Sequence, residues 1–210
     1  MLKCGHMFPT AIFQQAMTRM VLLAGFTGLL AVAPVYAFQA PQTSADTGTD
    51  IQVFFTPGDD AAGNIIKAIN SARQQVLVQA FSFTHPGIAQ ALIDAHRRGV
   101  EVKLIADLDQ TRKIRQNRIA DIVAAGVPVW LDGEHNGAHN KVMIIDADSA
   151  NVAQVGVITG SYNFTNAAQY KNAENVLLLR ANRPLTKAYQ RNWQKHLQHA
   201  RPFETTRLKH

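Results

Sequence analysis

The 210-residue chain is 47% hydrophobic and 17% charged, with one cysteine and 21 Lys plus Arg against 15 Asp plus Glu, a formal net charge of +6. Such a composition excludes a disordered or fibrous chain, an internal disulfide and a cysteine-built zinc cage, and it fits one domain. The basic excess, with a pI near 9.7, favours an anionic partner, nucleic acid or a phospholipid surface, without choosing between them.

Lys3 and Arg19 precede residues 20–32, which carry no charged side chain and lead to Pro34, Val35, Tyr36 and Ala37. This pattern predicts a secretory signal peptide over residues 1–37, cleaved after Ala37, because the apolar run is short for a spanning helix and short side chains flank the junction; an uncleaved anchor is the alternative. Cleavage removes Lys3, Cys4 and Arg19, which leaves 19 basic and 15 acidic residues and no cysteine. The product is expected in the periplasm or outside the cell, where the lack of a thiol is harmless, and without stable membrane association. Residues 38–50, rich in Gln, Thr, Ser, Asp and Gly, read as a flexible lead-in to a domain over residues 51–210.

Residues 51–55 are apolar and β-rich, and Thr56, Pro57 and Gly58 separate them from a helical pattern carrying Ile65, Ile66, Ile69 and Ala72. A second strand is predicted over residues 76–83, then a helix from Pro86 to the stop at Gly99, then a strand over residues 100–106. A polar, basic segment, residues 111–125, ends at Gly126 and leads into a β-like run over residues 127–131. Further strands are expected at residues 141–145, 152–159 and 176–179, and an amphipathic helix with Tyr189 and Trp193 at residues 185–197. Alternating helix and strand predict an α/β fold, a mixed sheet sandwiched by helices.

The chemistry-bearing residues concentrate between His139 and Glu174. His139, Lys141 and Asp146 form an H-x-K-x4-D pattern, followed by Gly160, Ser161, Asn163 and Glu174. On a strand His139 and Lys141 share a face and Asp146 faces away, so Asp146 is expected to fix the strand end. An imidazole beside an ammonium suits attack on phosphorus, because the lysine neutralises charge developing on the phosphoryl oxygens. Ser161 and Asn163 are expected to open a helix whose free amides cradle a phosphate. Glu174 is placed to accept from a histidine ring nitrogen and fix its tautomer. Taken singly these are ordinary residues. With 8 His in the chain, the His-Lys-Asp spacing alone arises by chance in about 2% of such sequences, and the downstream residues make coincidence rarer still.

With Gly160-Ser161-Tyr162-Asn163-Phe164-Thr165, Lys171-Asn172-Ala173-Glu174-Asn175 and Phe81-Ser82-Phe83-Thr84, nearly the whole expected mature chain resembles the phospholipase D superfamily, specifically its small, secreted, single-motif bacterial endonucleases of the Nuc type. The resemblance implies a phospholipase D-like fold and a phosphodiesterase acting through a covalent phosphohistidine with neither metal nor cofactor. It makes His139 the nucleophile and Lys141 and Asn163 the phosphate ligands, with Ser161 helping to place the phosphate and Glu174 orienting histidine; Asp146 completes the candidate catalytic set. One departure is visible: thirteen residues, 147–159, separate Asp146 from Gly160, about twice the family's usual spacing, and a longer hairpin is expected to absorb them.

In-line displacement puts nucleophile and leaving oxygen on opposite sides of phosphorus, so the attacking histidine cannot protonate the leaving group. Among all 8 His, only His139 is followed two residues later by Lys. A twofold homodimer with one shared active site supplies the second copy. The expected substrate is nucleic acid, DNA or RNA; phospholipid head groups, or a catalytically idle DNA-binding module, are the alternatives. Arg112, Lys113, Arg115 and Arg118 are read either as a nucleic-acid backbone contact or as a solvated helix face. A metal cluster of Asp132, Glu134, His135 and His139 is disfavoured, because Gly133 and Gly137 remove the helical register its spacing needs, and His196 and His199 are expected on the solvated face of the last helix.

Overall fold

The computed structural model describes residues 48–204; the expected signal peptide and most of the lead-in lie outside the described residues. Eight strands form one sheet: β1 (Asp50–Thr56), β2 (Gln75–Ala80), β3 (Glu101–Asp107), β4 (Val129–Asp132), β5 (Lys141–Ile145), β6 (Gly156–Gly160), β7 (Glu174–Arg180) and β8 (Arg201–Pro202), in spatial order β1-β7-β6-β5-β2-β3-β4-β8. The pairings β2–β3 and β3–β4 are parallel and the others antiparallel. The helices are α1 (Ala61–Ser71), α2 (Pro86–Arg97), α3 (Leu108–Lys113), α4 (Ile119–Ala124), α5 (Asn166–Tyr170) and α6 (Arg183–Leu197). The mixed sheet between helical layers is the expected fold.

The two-residue period of the strands divides the core into two layers. Val76, Val78, Val102, Leu104, Met143 and Ile145 join the cluster that holds the apolar stripes of α1 and α2. Leu77, Ile105, Val142 and Ile144 face the other way and pack with Trp193 of α6, whose indole N–H donates to the Val78 carbonyl at 2.9 Å. Helix starts follow capping chemistry: the Asp60 carboxylate accepts from the Gly63 N–H, and Pro86 occupies the first turn of α2 behind His85.

Four segments differ from expectation. The strand expected to reach residue 83 ends at Ala80, because Phe83 leaves the ladder to bridge Phe164. The basic segment is two short helices rather than one element: Ile114 is extended, and the Asn117 side-chain amide donates to the Thr111 and Ile114 carbonyls, competing with helical bonding. In the stretch between Asp146 and Gly160 the strand expected over residues 152–159 starts only at Gly156; a turn and one 3-10 turn, Val152–Gln154, lengthen the connection of the antiparallel β5–β6 hairpin, which absorbs the extra residues as expected. The helix expected to open at Ser161 begins at Asn166, capped by the Thr165 hydroxyl.

Candidate active site

Antiparallel pairing brings the start of β5 beside the end of β2, where Lys141 lies opposite Ala80, and the end of β6 beside the start of β7, where Gly160 lies opposite Val176. The segments that follow β2 and β6 are then tied together: the Thr84 and His85 N–H groups both donate to the Phe164 carbonyl at 2.9 Å. His139, Lys141, Ser161, Asn163 and Glu174 therefore gather at one end of the sheet, the end to which the parallel strands β2, β3 and β4 deliver their C-termini.

His139 is exposed, and its ring centroid lies 4.3 Å from that of Phe81. Lys141 is only 6% exposed. Its ammonium bonds the His139 carbonyl at 2.8 Å and sits 4.7 Å from the Phe81 ring centroid, and among the described residues no carboxylate pairs with it directly. Burial pulls the Lys141 pKa down to about 8, with Glu174 and Asp107 opposing through their charge. The site thus holds a desolvated cation beside an exposed imidazole.

Glu174 accepts from the Ser161 hydroxyl at 2.5 Å and the Asn172 amide at 3.0 Å. Among the described residues of this single chain its side-chain hydrogen bonds come from those two groups and none from His139. Ser161 in turn accepts from the Asn175 N–H at 3.1 Å. Gly160 makes this approach feasible: its φ is +151°, and a Cβ there would lie 2.2 Å from the Asn175 carbonyl oxygen. Asn163 is partly buried, and its Oδ1 has no hydrogen-bond partner among the described residues, so the segment carries an unspent polar group. Ser161 and Asn163 sit on the connection ahead of the five-residue α5, not at a helix N-terminus, which corrects the expected amide cradle.

Asp146 stands at the opposite end of β5. It is 1% exposed, and its carboxylate accepts from the Arg73, Gln74 and Gln75 N–H groups at 2.8–2.9 Å. It bolts the entry of β2 to the exit of β5 and touches none of the reacting groups.

Phe81 and Asp107 were missed as site residues. The Asp107 carboxylate accepts from the Gln110 N–H at 2.7 Å and from the Ala138 N–H at 2.8 Å, so one side chain caps α3 and holds the backbone just before His139. An aspartate ending an apolar strand three residues before Gln110 was the available signal. Of the basic segment, Lys113 pairs with Asp109 and Arg118 with Asp121, each at 3.0 Å, while Arg112 and Arg115 are exposed.

The four residues disfavoured as a metal cluster from the sequence do not converge as a set, and it is the reading of the last helix that needs correction. His139 and Glu134 do not belong to the cluster that forms, whereas His196 and His199, expected on a solvated face, converge with His135 on the Asp132 carboxylate at 3.0–3.2 Å.

A mixed sheet between helical layers, with an H-x-K motif and a Gly-Ser-x-Asn turn at one sheet end, defines the class. The chain belongs to the phospholipase D superfamily, whose members include phosphodiesterase hydrolases; residues 65–197 match the family model described as "Cardiolipin synthase, PLD-like domain". It is 33% identical to Nuc from Salmonella typhimurium, a phospholipase D family member, with a TM-score of 0.68 over 75% of this chain and 99% of that one. It is 26% identical to NucT from Helicobacter pylori, with a TM-score of 0.65 over 74% and 99%. Phospholipase D of Rickettsia prowazekii is 34% identical over 145 residues, 69% of this chain, and the match spans 66% of that relative's length.

Proposed function

We propose that this chain is a metal-independent phosphodiesterase that cleaves nucleic acid, in a homodimer with one shared site, after export directed by residues 1–37. The observation that carries the reading is Lys141: a buried ammonium without a carboxylate partner among the described residues, next to an exposed imidazole, is a site completed by an anion. A phosphodiester supplies that anion, and Asn163 and Ser161 offer polar groups beside it. The unpaired His139 imidazole attacks phosphorus, and the P–O bond to the leaving oxygen breaks while the second copy's His139, in its protonated form, gives that oxygen a proton. Water then attacks the phosphohistidine, losing its proton to that same second histidine, and the first imidazole is released.

The single H-x-K motif supports the dimer, as does an apolar stripe left exposed on edge strand β1. Ile51, Val53 and Phe55 are 49–60% exposed, on the strand whose Thr56 pairs with Glu174. The basic excess and the Nuc-like fold support nucleic acid, whereas the name of the rickettsial relative supports phospholipid as the second reading.

Plasmid DNA, RNA and phosphatidylcholine vesicles are incubated in parallel with the protein in excess EDTA. Cleavage of nucleic acid that persists in EDTA and disappears in His139→Ala is expected. Head-group release without nucleic-acid cleavage overturns the substrate, and activity that requires added divalent metal overturns the mechanism. N-terminal sequencing of the exported product is expected to begin at or near Phe38, and a membrane-bound product that retains Met1 refutes cleavage.

A further inference from the structure

The arrangement of Asp132, His135, His196 and His199 is the densest cluster of metal-ligating side chains among the described residues, and neither the mechanism nor the sheet requires it. Asp132 ends β4, His135 follows on the next turn, and His196 and His199 lie on the last turn of α6 and just beyond it. Four atoms, one from each residue, lie within 4.8 Å of one another. Asp132 is 1% exposed, and one of its oxygens receives both His196 Nδ1 at 3.0 Å and His199 Nε2 at 3.1 Å. His135 Nδ1 lies 3.1 Å from the other oxygen. The three rings face one another at centroid separations of 5.1–5.3 Å.

Hydrogen bonding alone is a poor reason for this geometry. Three imidazoles and the Glu134 N–H all compete for one buried carboxylate, and charging the rings to strengthen those bonds would set like charges together. A tetrahedral ion at about 2.0–2.1 Å from each ligand separates its ligand atoms by about 3.3 Å. The three spacings from Asp132, 3.0–3.2 Å, are nearly those edges already, and the ring nitrogens, within 4.8 Å of one another, need only draw in around the ion.

The geometry points to a binding site for one borderline divalent transition-metal ion, zinc in the first instance, held by His135, His196, His199 and Asp132. Each ring turns a lone pair to the ion and keeps its proton on the opposite nitrogen; any proton now aimed at Asp132 leaves to solvent. Four protein ligands close the coordination shell, which makes the ion structural. It ties the end of β4 and the start of residues 133–140, the loop that ends beside His139, to the end of α6. A cavity of about 260 Å³ whose wall includes His199 and Glu134 gives the ion a route in. In the sheet order Asp132 stands three strands from Lys141, β5-β2-β3-β4, or about 14 Å, so the site is independent of the metal-free mechanism.

The test strips the full chain with a chelator, removes the chelator and titrates zinc against a competing chromophoric ligand; cobalt(II) serves as a spectroscopic probe. One equivalent per chain and the strong visible absorption of tetrahedral cobalt are expected. At a hundredfold excess over its Kd, zinc should raise Tm by about 5–10 °C, with turnover below the melting range unchanged. His135→Ala and His199→Ala, whose side chains are 47% and 30% exposed and so tolerate truncation, should each weaken binding about a hundredfold or more. His139→Ala should bind as wild type. Failure of the wild-type protein to take up zinc or cobalt, equal affinity in both cluster variants, or loss of binding in His139→Ala overturns the site.

Discussion

Replacing Lys141 by Met separates function from stability at one position. Moving the Lys141 pKa from its ordinary 10.5 to about 8 means that the charged form costs the folded state about 3 kcal/mol at neutral pH. Met keeps most of the stem volume and carries no charge. It gives up the bond to the His139 carbonyl, worth about 1 kcal/mol. The variant should therefore be more stable than wild type by about 2 kcal/mol near pH 7, or about 4–8 °C in Tm, while turnover falls by at least about a hundredfold because phosphoryl charge is no longer neutralised. The pH dependence carries the sign. Below pH 8 lysine is protonated in both folded and unfolded states, so its full cost is present. Between about 8 and 10.5 the folded state has shed its proton and the unfolded state has not, so wild type gains stability and the variant's advantage shrinks. Urea unfolding of both proteins from pH 6.5 to 10.5 measures this. A variant less stable than wild type at pH 7, or an advantage independent of pH, refutes the buried, unpaired ammonium.

The same titration predicts that kcat/KM declines as pH rises through about 8, and that Lys141→Arg, which stays charged, loses that limb; an identical alkaline limb in the arginine variant rules out Lys141 as its source. Asp146→Ala leaves three part-buried backbone N–H groups without their acceptor and should cost about 1–3 kcal/mol, while specific activity of the folded fraction at low temperature stays near wild type. A stable Asp146→Ala protein with no activity would restore Asp146 to the catalytic set. Co-expression of equal amounts of wild-type and His139→Ala chains should retain about one quarter of wild-type activity if the site is shared by randomly paired chains, against about one half for independent sites, and a linear fall with wild-type fraction refutes sharing.

What was legible in the sequence was local. Short apolar, β-rich runs gave β1, β3, β4, β5 and β7, the helical period of Ile65, Ile66, Ile69 and Ala72 gave α1, Pro86 and Gly99 bounded α2, and the spacing of His139, Lys141, Ser161, Asn163 and Glu174 marked the site, because strand and helix periods are set within a few residues. The same locality explains the errors: the helix expected at Ser161 was displaced to Asn166 by the tertiary bridge between Phe83 and Phe164. Burial of Lys141 could not be read from its neighbours, since it depends on the antiparallel pairing of β5 with β2, which lays Phe81 beside it. Nor could the partners of Asp146, which lie more than seventy residues earlier. His196 and His199 read as a solvated face because helical periodicity reports which side of a helix is apolar and not what approaches its end. Only the packing of α6 across the sheet carries them to Asp132, 64 and 67 residues away in the chain, and contacts at that separation are decided by the summed burial of the whole core rather than by any local pattern.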